Sequence, residues 1–169
     1  MATKRAGNAE ALGEMIMYRA SITVGWMILA MTCQFSGLAT AETVLFPAGA
    51  TWRYLDNGSD QGVAWRTNTF NDAAWSNGPA PLGYGHAPLE HTVISYGTNS
   101  LRKYITSYFR RTFAVSNASS YTVLRLELLR DDGIVLYING SEVLRDNMPG
   151  GPVTYQMLAS TKIGAPDET

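Results

Sequence analysis

The stretch LRDDGIVLYINGSEVLR, residues 129–145, carries the clearest structural signals in the sequence. Its centre, GIVLYI (133–138), is almost entirely apolar, as expected of a central strand that is buried on both faces. Asn139-Gly140 follows, and this pair favours a type I′ turn because both central residues of that turn need a positive φ. The pattern predicts a β-hairpin that joins 133–138 to SEVLR (141–145).

The acidic pair Asp131-Asp132 at the start of this strand has three interpretations. The first is turn chemistry, since Asp side chains bond nearby backbone and Gly133 can supply a left-handed position. The second is a ligand or calcium contact, although calcium needs about six to eight oxygens and the turn offers only some of them. The third is acid–base catalysis, which fits poorly because adjacent residues of a strand point to opposite faces.

The chain after residue 42 predicts an all-β protein, because short strand-like runs alternate with Gly, Asn, Asp and Pro. Strands are expected at 43–46, 51–55, 103–115 and 121–129. In the strand predicted at 121–129, Leu124, Leu126 and Leu128 face one way, and Arg125 and Glu127 face the other. Residues 64–85 predict an ordered loop with one helical turn at 71–75.

Arg111 is expected on the same strand face as Phe109 and Phe113. A guanidinium that faces a core must be paired and hydrogen-bonded, or its burial costs several kcal/mol. A carboxylate at a strand end is the natural partner. The sequence therefore predicts a structural ion pair of Arg111 with Asp131 or Asp132. Of the two, Asp132 is the predicted partner.

Aromatic residues are frequent between Trp52 and Tyr104. Exposed aromatic rings stack on sugars, and loops at the edge of a sheet often hold ligands. Trp52 and Trp65 are therefore candidate binding residues, together with Asp131 and Asp132. Trp75 is expected in the core, because a tryptophan side chain is costly to expose.

The N-terminus is typical of an exported protein. Arg19, an apolar run from Ala20 to Met31 and the motif Ala39-Thr40-Ala41 predict a signal peptide cleaved before Glu42. The run is shorter than the about 20 residues that a spanning helix needs, and a retained membrane anchor or a lipid anchor is the weaker alternative. Residues 1–41 are thus assigned to an N-terminal extension and signal peptide, and residues 42–169 to one domain.

Bulk properties exclude several classes of function. The net charge of −1 gives no basic field for nucleic acid, and one cysteine in the whole chain excludes a disulfide framework. His86, Glu90 and His91 are the only cluster of His with a carboxylate, and Gly85 and Pro88 favour a solvated loop there over a metal site. No cofactor is predicted, with calcium near Asp131 as the alternative.

Three segments resemble a known family when they are taken together. FNDAAWSNGPAPLGYG (70–85), YFRRTFAV (108–115) and DDGIVLYINGSEVLRDNMP (131–149) resemble, in the same order and spacing, the sugar-binding jelly-roll domain of β-galactosidase-type glycoside hydrolases. The set is still more similar to the galactose-binding-like β-sandwich modules of large secreted bacterial proteins, which often accompany calcineurin-like metallophosphoesterase domains. GYGHAPLEH departs from relatives that carry acidic residues after GYG.

The resemblance implies a fold and a function. The fold is a jelly-roll β-sandwich of the galactose-binding-like type, truncated at its C-terminus, since STKIGAPDET (160–169) resembles a mid-domain loop. The function is that of a secreted, non-catalytic bacterial module that binds carbohydrate or a neighbouring domain, with no membrane contact after cleavage. One alternative is the N-terminal part of a metallophosphoesterase or glycoside hydrolase, whose catalytic domain lies elsewhere. The other is a purely structural spacer.

Overall fold

The computed structural model describes residues 10–20, 29–35, 43–85 and 88–163. Within these ranges the helical structure is limited to two 3-10 turns, at Ala64–Arg66 and Ala118–Ser120. The strands are β1 (Glu10–Ala20), β2 (Leu29–Phe35), β3 (Thr43–Phe46), β4 (Thr51–Leu55), β5 (Ser76–Pro79), β6 (Leu82–Gly83), β7 (Thr92–Val93), β8 (Thr106–Ser116), β9 (Tyr121–Leu128), β10 (Gly133–Ile138) and β11 (Ser141–Asp146). The prediction of an all-β protein is confirmed.

The strands form layered sheets. The larger sheet has six strands in the order β11-β10-β1-β8-β4-β5, and a second sheet has three in the order β3-β2-β9. Neighbouring strands in both sheets are antiparallel, whereas the short β6 and β7 pair in parallel. The arrangement is sandwich-like, because the three-stranded sheet packs on one face of the six-stranded sheet. Loops cover the other face.

Alternate residues of the central strands supply two separate cores, as the period of two along a strand requires. The first, which we call the inter-sheet core, is built around Phe46, Trp52, Phe109, Ile134 and Leu136. The second, the loop-covered core, lies on the other face of the six-stranded sheet and is built around Trp65, Trp75, Tyr108, Val135 and Tyr137. The prediction that β10 is buried on both faces is confirmed.

The predicted hairpin is also confirmed. Ile138 pairs with Ser141 across the turn, and Asn139 and Gly140 have φ values of 50° and 83°. Both positive values match the requirement of a type I′ turn. Strands predicted at 43–46 and 51–55 coincide with β3 and β4.

The segment between β4 and β5 differs from the sequence prediction. Its 3-10 turn lies at Ala64–Arg66, whereas a single helical turn was expected at 71–75. Residues 71–75 instead form a hydrogen-bonded turn, in which Trp75 N–H donates to the Asp72 carbonyl at 2.9 Å. The Asn71 side chain accepts from the Ala73 N–H at 3.0 Å, a bond typical of turns.

The N-terminal segments form strands within both sheets. β1 lies between β8 and β10, with Met17 opposite both Phe109 and Leu136. β2 lies between β3 and β9. Segments assigned to the leader from the sequence are thus sheet strands in the whole chain. The cleavage site after Ala41 lies outside the described residues, and export stays a prediction.

Candidate functional site

The acidic pair at the start of β10 is buried. Asp131 and Asp132 are both 0% exposed, so a ligand from solvent does not reach either carboxylate. Asp132 Oδ1 accepts the Ile163 N–H at 2.8 Å, and its carbonyl accepts from Arg130 at 2.8 Å and Asn147 at 2.9 Å. This corrects the ligand-contact interpretation, because Asp132 holds three chain segments together at one end of the sheet.

Gly133 is required for a different reason from the one expected. It does not have a positive φ, so the predicted left-handed position is wrong. A Cβ built on Gly133 would lie 2.8 Å from the Asn147 carbonyl oxygen and 2.5 Å from the Met148 sulfur. Close approach of the 147–148 backbone therefore selects glycine at this position.

The two candidate binding tryptophans are core residues. Trp52 is 0% exposed and Trp65 is 1% exposed, so neither ring has a face open for a sugar to stack on. Trp65 packs edge-on against Tyr108 with ring centroids 4.8 Å apart, and its Nε1–H donates to the Gly62 carbonyl at 3.1 Å. This corrects both assignments, whereas Trp75 is buried as predicted.

Arg111 has partners other than the expected carboxylate. It faces the inter-sheet core as predicted, with its guanidinium 5.1 Å from the centre of the Phe46 ring, and it donates to the Thr51 carbonyl. Within the described residues no ion pair joins Arg111 to Asp132. Burial lowers the pKa of Arg111 from its ordinary value.

The buried ion pair belongs instead to the preceding residue, Arg110. Arg110 is 1% exposed, and its Nε donates to Asp72 Oδ2 at 3.0 Å. The guanidinium also donates to the carbonyls of Trp65 and Thr67 and lies 5.0 Å from the Phe70 ring centre. The Asp72 carboxylate and the loop carbonyls fix the 65–72 loop onto the sheet, which is a structural role.

The His-and-carboxylate cluster does not define a metal centre in the described structure. His86 lies outside the described residues, and His91 is exposed. Among the described residues, no group of three or more His, Cys, Asp or Glu side chains could hold a metal ion.

An aromatic and cationic cluster lies near the 95–104 loop. The rings of Tyr84 and Tyr96 are 5.0 Å apart, and Lys103 Nζ lies 4.9 Å and 5.3 Å from their centres. Tyr96 is 37% exposed, whereas Tyr84 is buried. This is a partly open aromatic surface with a cation beside it. The sequence marks both tyrosines only as members of an aromatic-rich region.

An aliphatic cleft opens at the end of the inter-sheet core. It has a volume of about 410 Å³ and is lined by Leu124, Leu126, Leu128, Leu136, Ile138, Val143 and Leu144. We call this surface the leucine cleft. The alternating leucines of β9 indicate one side of this cleft from the sequence alone. The residues of β10 and β11 on the other side are not indicated, because the sequence does not show which strands pack opposite β9.

The leucine cleft suits apolar association. Leu124 and Val143 at its rim are 46% and 52% exposed, so the inter-sheet core is incompletely covered at this side. Its lining carries no ionisable side chain, and burial of the exposed aliphatic area is its main source of binding free energy. Its chemistry favours contact with an apolar group over contact with a charged one.

These features define an all-β protein with sandwich-like layers and an open aliphatic cleft. No family model, curated protein or solved structure matches the chain. Among the described residues, no helix is both long and apolar enough to cross a membrane.

Proposed function

We propose that this protein is a secreted, non-catalytic accessory module that associates with a partner through the leucine cleft. Its fold is a jelly-roll sandwich of the galactose-binding-like type. The resemblance of residues 70–85, 108–115 and 131–149 to such modules supports the fold. The leucine cleft is the observation that carries the function, because exposed aliphatic surface in a concave site is typical of association.

Catalysis by the module itself receives little support from its acidic residues, whereas the alternative in which a hydrolase domain lies elsewhere does not depend on them. A glycosidase needs two carboxylates about 5–10 Å apart, one on each side of the scissile bond, and both must be open to the substrate. Asp131 and Asp132 are buried, and Asp132 is hydrogen-bonded to the backbone of Ile163. The motif that resembles a hydrolase domain thus has a structural use in this chain.

Export of the protein is part of the proposal and is supported by the residues from Arg19 to Ala41. All seven residues that line the leucine cleft lie between 124 and 144, within the part that would be exported. N-terminal sequencing of the exported protein tests this point. The first residue is expected to be Glu42, and an intact Met1 or Met17 in a cytoplasmic product contradicts it.

A fluorescent apolar probe tests the leucine cleft. Anilinonaphthalene sulfonate is expected to bind the dilute full chain, and Leu124→Asp is expected to weaken that binding because it places a charge at the rim. Leu101→Asp is the matched control, since Leu101 is 92% exposed and lies outside the cleft. Equal dye binding by both variants, with unchanged circular dichroism, contradicts the proposal.

Carbohydrate binding is the second candidate, and the Tyr84–Tyr96–Lys103 cluster favours it over the buried tryptophans. A half-open tyrosine ring can stack on a sugar while the neighbouring ammonium donates to its hydroxyl groups. A glycan array is expected to show weak hits that Tyr96→Ala removes. Hits that persist in Tyr96→Ala, or a blank array, count against this candidate.

A further inference from the structure

β9 is an edge strand in the part of the chain that the structure describes. It pairs with β2 on one side and ends the three-stranded sheet. Val123 and Leu124 on this strand are 50% and 46% exposed. An edge of this kind is a template for another strand, because residues 124–128 pair with no described strand on the side away from β2.

The C-terminal part of β9 is symmetric in character about Leu126. Leu124-Arg125-Leu126-Glu127-Leu128 has leucines at its first, third and fifth positions and opposite charges at equal distances from Leu126. Arg125 Nη2 and Glu127 Oε1 lie 2.8 Å apart on the face away from the cleft, and their side chains are 58% and 59% exposed. Neither charge is buried within the protein.

We propose that the protein forms a dimer in which β9 pairs antiparallel with β9 of a second copy, about a two-fold axis at Leu126. In this register Leu124 lies opposite Leu128 of the second copy. Arg125 lies opposite Glu127 of the second copy, and the two-fold axis repeats that pair. Each Arg125 then has Glu127 of its own strand as one neighbour and Glu127 of the second copy directly opposite. Like charges are only diagonal neighbours, which lie farther apart than opposite residues.

The charge pattern is what favours a second copy over an unrelated strand. A strand of another protein would need the opposite charge at both positions, whereas the protein's own β9 supplies both by symmetry. The pairing would also extend the row of leucines beyond one copy, beside the leucine cleft. The inference rests on the proposed function, since β9 supplies three of the seven residues that line the leucine cleft.

Charge reversal tests the dimer in the full 169-residue chain. Sedimentation over a range of concentrations is measured for wild type, Arg125→Glu, Glu127→Arg and the double exchange Arg125→Glu/Glu127→Arg. Each single change places four like charges together, and it is expected to weaken self-association about tenfold or more. The double exchange is expected to restore it, because the alternation of charge returns. All variants are expected to keep the wild-type fold, since both side chains are exposed.

Mixing the two single variants gives an independent result. One strand then carries only negative charge and the other only positive, so a heterodimer is expected to form more tightly than either homodimer. A wild type that stays monomeric, assembles beyond a dimer or associates equally in all variants overturns the inference. Dye binding at the leucine cleft separates the two proposals: a monomeric protein that still binds the dye overturns the dimer alone.

Discussion

Arg110 and Arg111 are neighbours on β8 that face opposite sides of the six-stranded sheet. Arg110 enters the loop-covered core and is held by Asp72 and two loop carbonyls. Arg111 reaches the rim of the inter-sheet core, where Phe46 and the Thr51 carbonyl receive it. A buried cation needs such partners, and loss of one from a buried pair typically costs about 3–5 kcal/mol. Which arginine is buried depends on the loop that covers the second face.

Gly133→Ala is expected to destabilise the protein by about 1–3 kcal/mol, the usual cost of overpacking a filled site. The new methyl group would meet the Asn147 carbonyl oxygen, a backbone atom that cannot move alone. Gly150→Ala is the matched control, because nothing lies within 4 Å of its Cβ position, and its effect is expected to be near zero. Urea unfolding measures both. Equal stability of the two variants contradicts this account of Gly133.

At the scale of the element, local patterns predict strands well. The apolar run of β10, the Asn139-Gly140 turn and the alternation in β9 depend on backbone rules and near neighbours, and all three are found in the structure. Whether Trp52 and Trp65 are buried or exposed depends on segments that are distant in the sequence. A tryptophan beside turn residues fits an open loop or a core equally well until the packing partners are known.

The β10–β11 hairpin carries a pH-dependent contact. Glu142 accepts hydrogen bonds from Arg145 at 2.8 Å, and these bonds lower the pKa of Glu142 below its ordinary value of 4.5. A carboxyl with a lowered pKa stabilises the fold above its unfolded-state pKa, and this contribution is lost as the pH falls through the folded-state value. Glu142 is exposed and Arg145 is partly exposed, so the contribution of the pair is expected to be below about 1 kcal/mol.

A double-mutant cycle with Glu142→Gln and Arg145→Gln measures this contact. The coupling free energy from chemical unfolding is expected to be positive at neutral pH. It should vanish in acid, below the lowered pKa of Glu142, because the protonated side chain no longer attracts the guanidinium. A coupling that stays constant from neutral to acidic pH contradicts the assignment.

At the scale of the whole molecule, the two N-terminal strands occupy interior positions. β1 pairs with β8 from Glu10 opposite Ser116 to Ala20 opposite Thr106, and it separates β8 from β10. β2 separates β3 from β9 in the same way. The leader prediction and this topology use the same residues, so a protein cleaved after Ala41 would have two vacated strand positions. Local patterns in residues 1–41 carry no information on those distant partners.

Residues 42–169 alone are therefore expected to be marginally stable or prone to aggregate. Removal of β1 and β2 leaves open ladder edges on β8, β10, β3 and β9. It also removes the ladder hydrogen bonds of both strands, each of which contributes about 0.5–1.5 kcal/mol, so the loss reaches several kcal/mol. That loss is comparable to the whole stability of a typical domain, about 5–15 kcal/mol.

Complementation with a peptide decides whether the vacated positions accept a strand. Thermal unfolding of residues 42–169 is measured alone and with a peptide of residues 10–35, and the peptide is expected to restore a sharp transition. A peptide with Met15→Pro is the control, because proline lacks the N–H that a strand paired on both sides needs. A single sharp transition and a monomeric elution profile for residues 42–169 alone would show that this segment folds without β1 and β2. The cleaved and uncleaved chains would then share one stable domain, and the N-terminal strands would be dispensable for its stability.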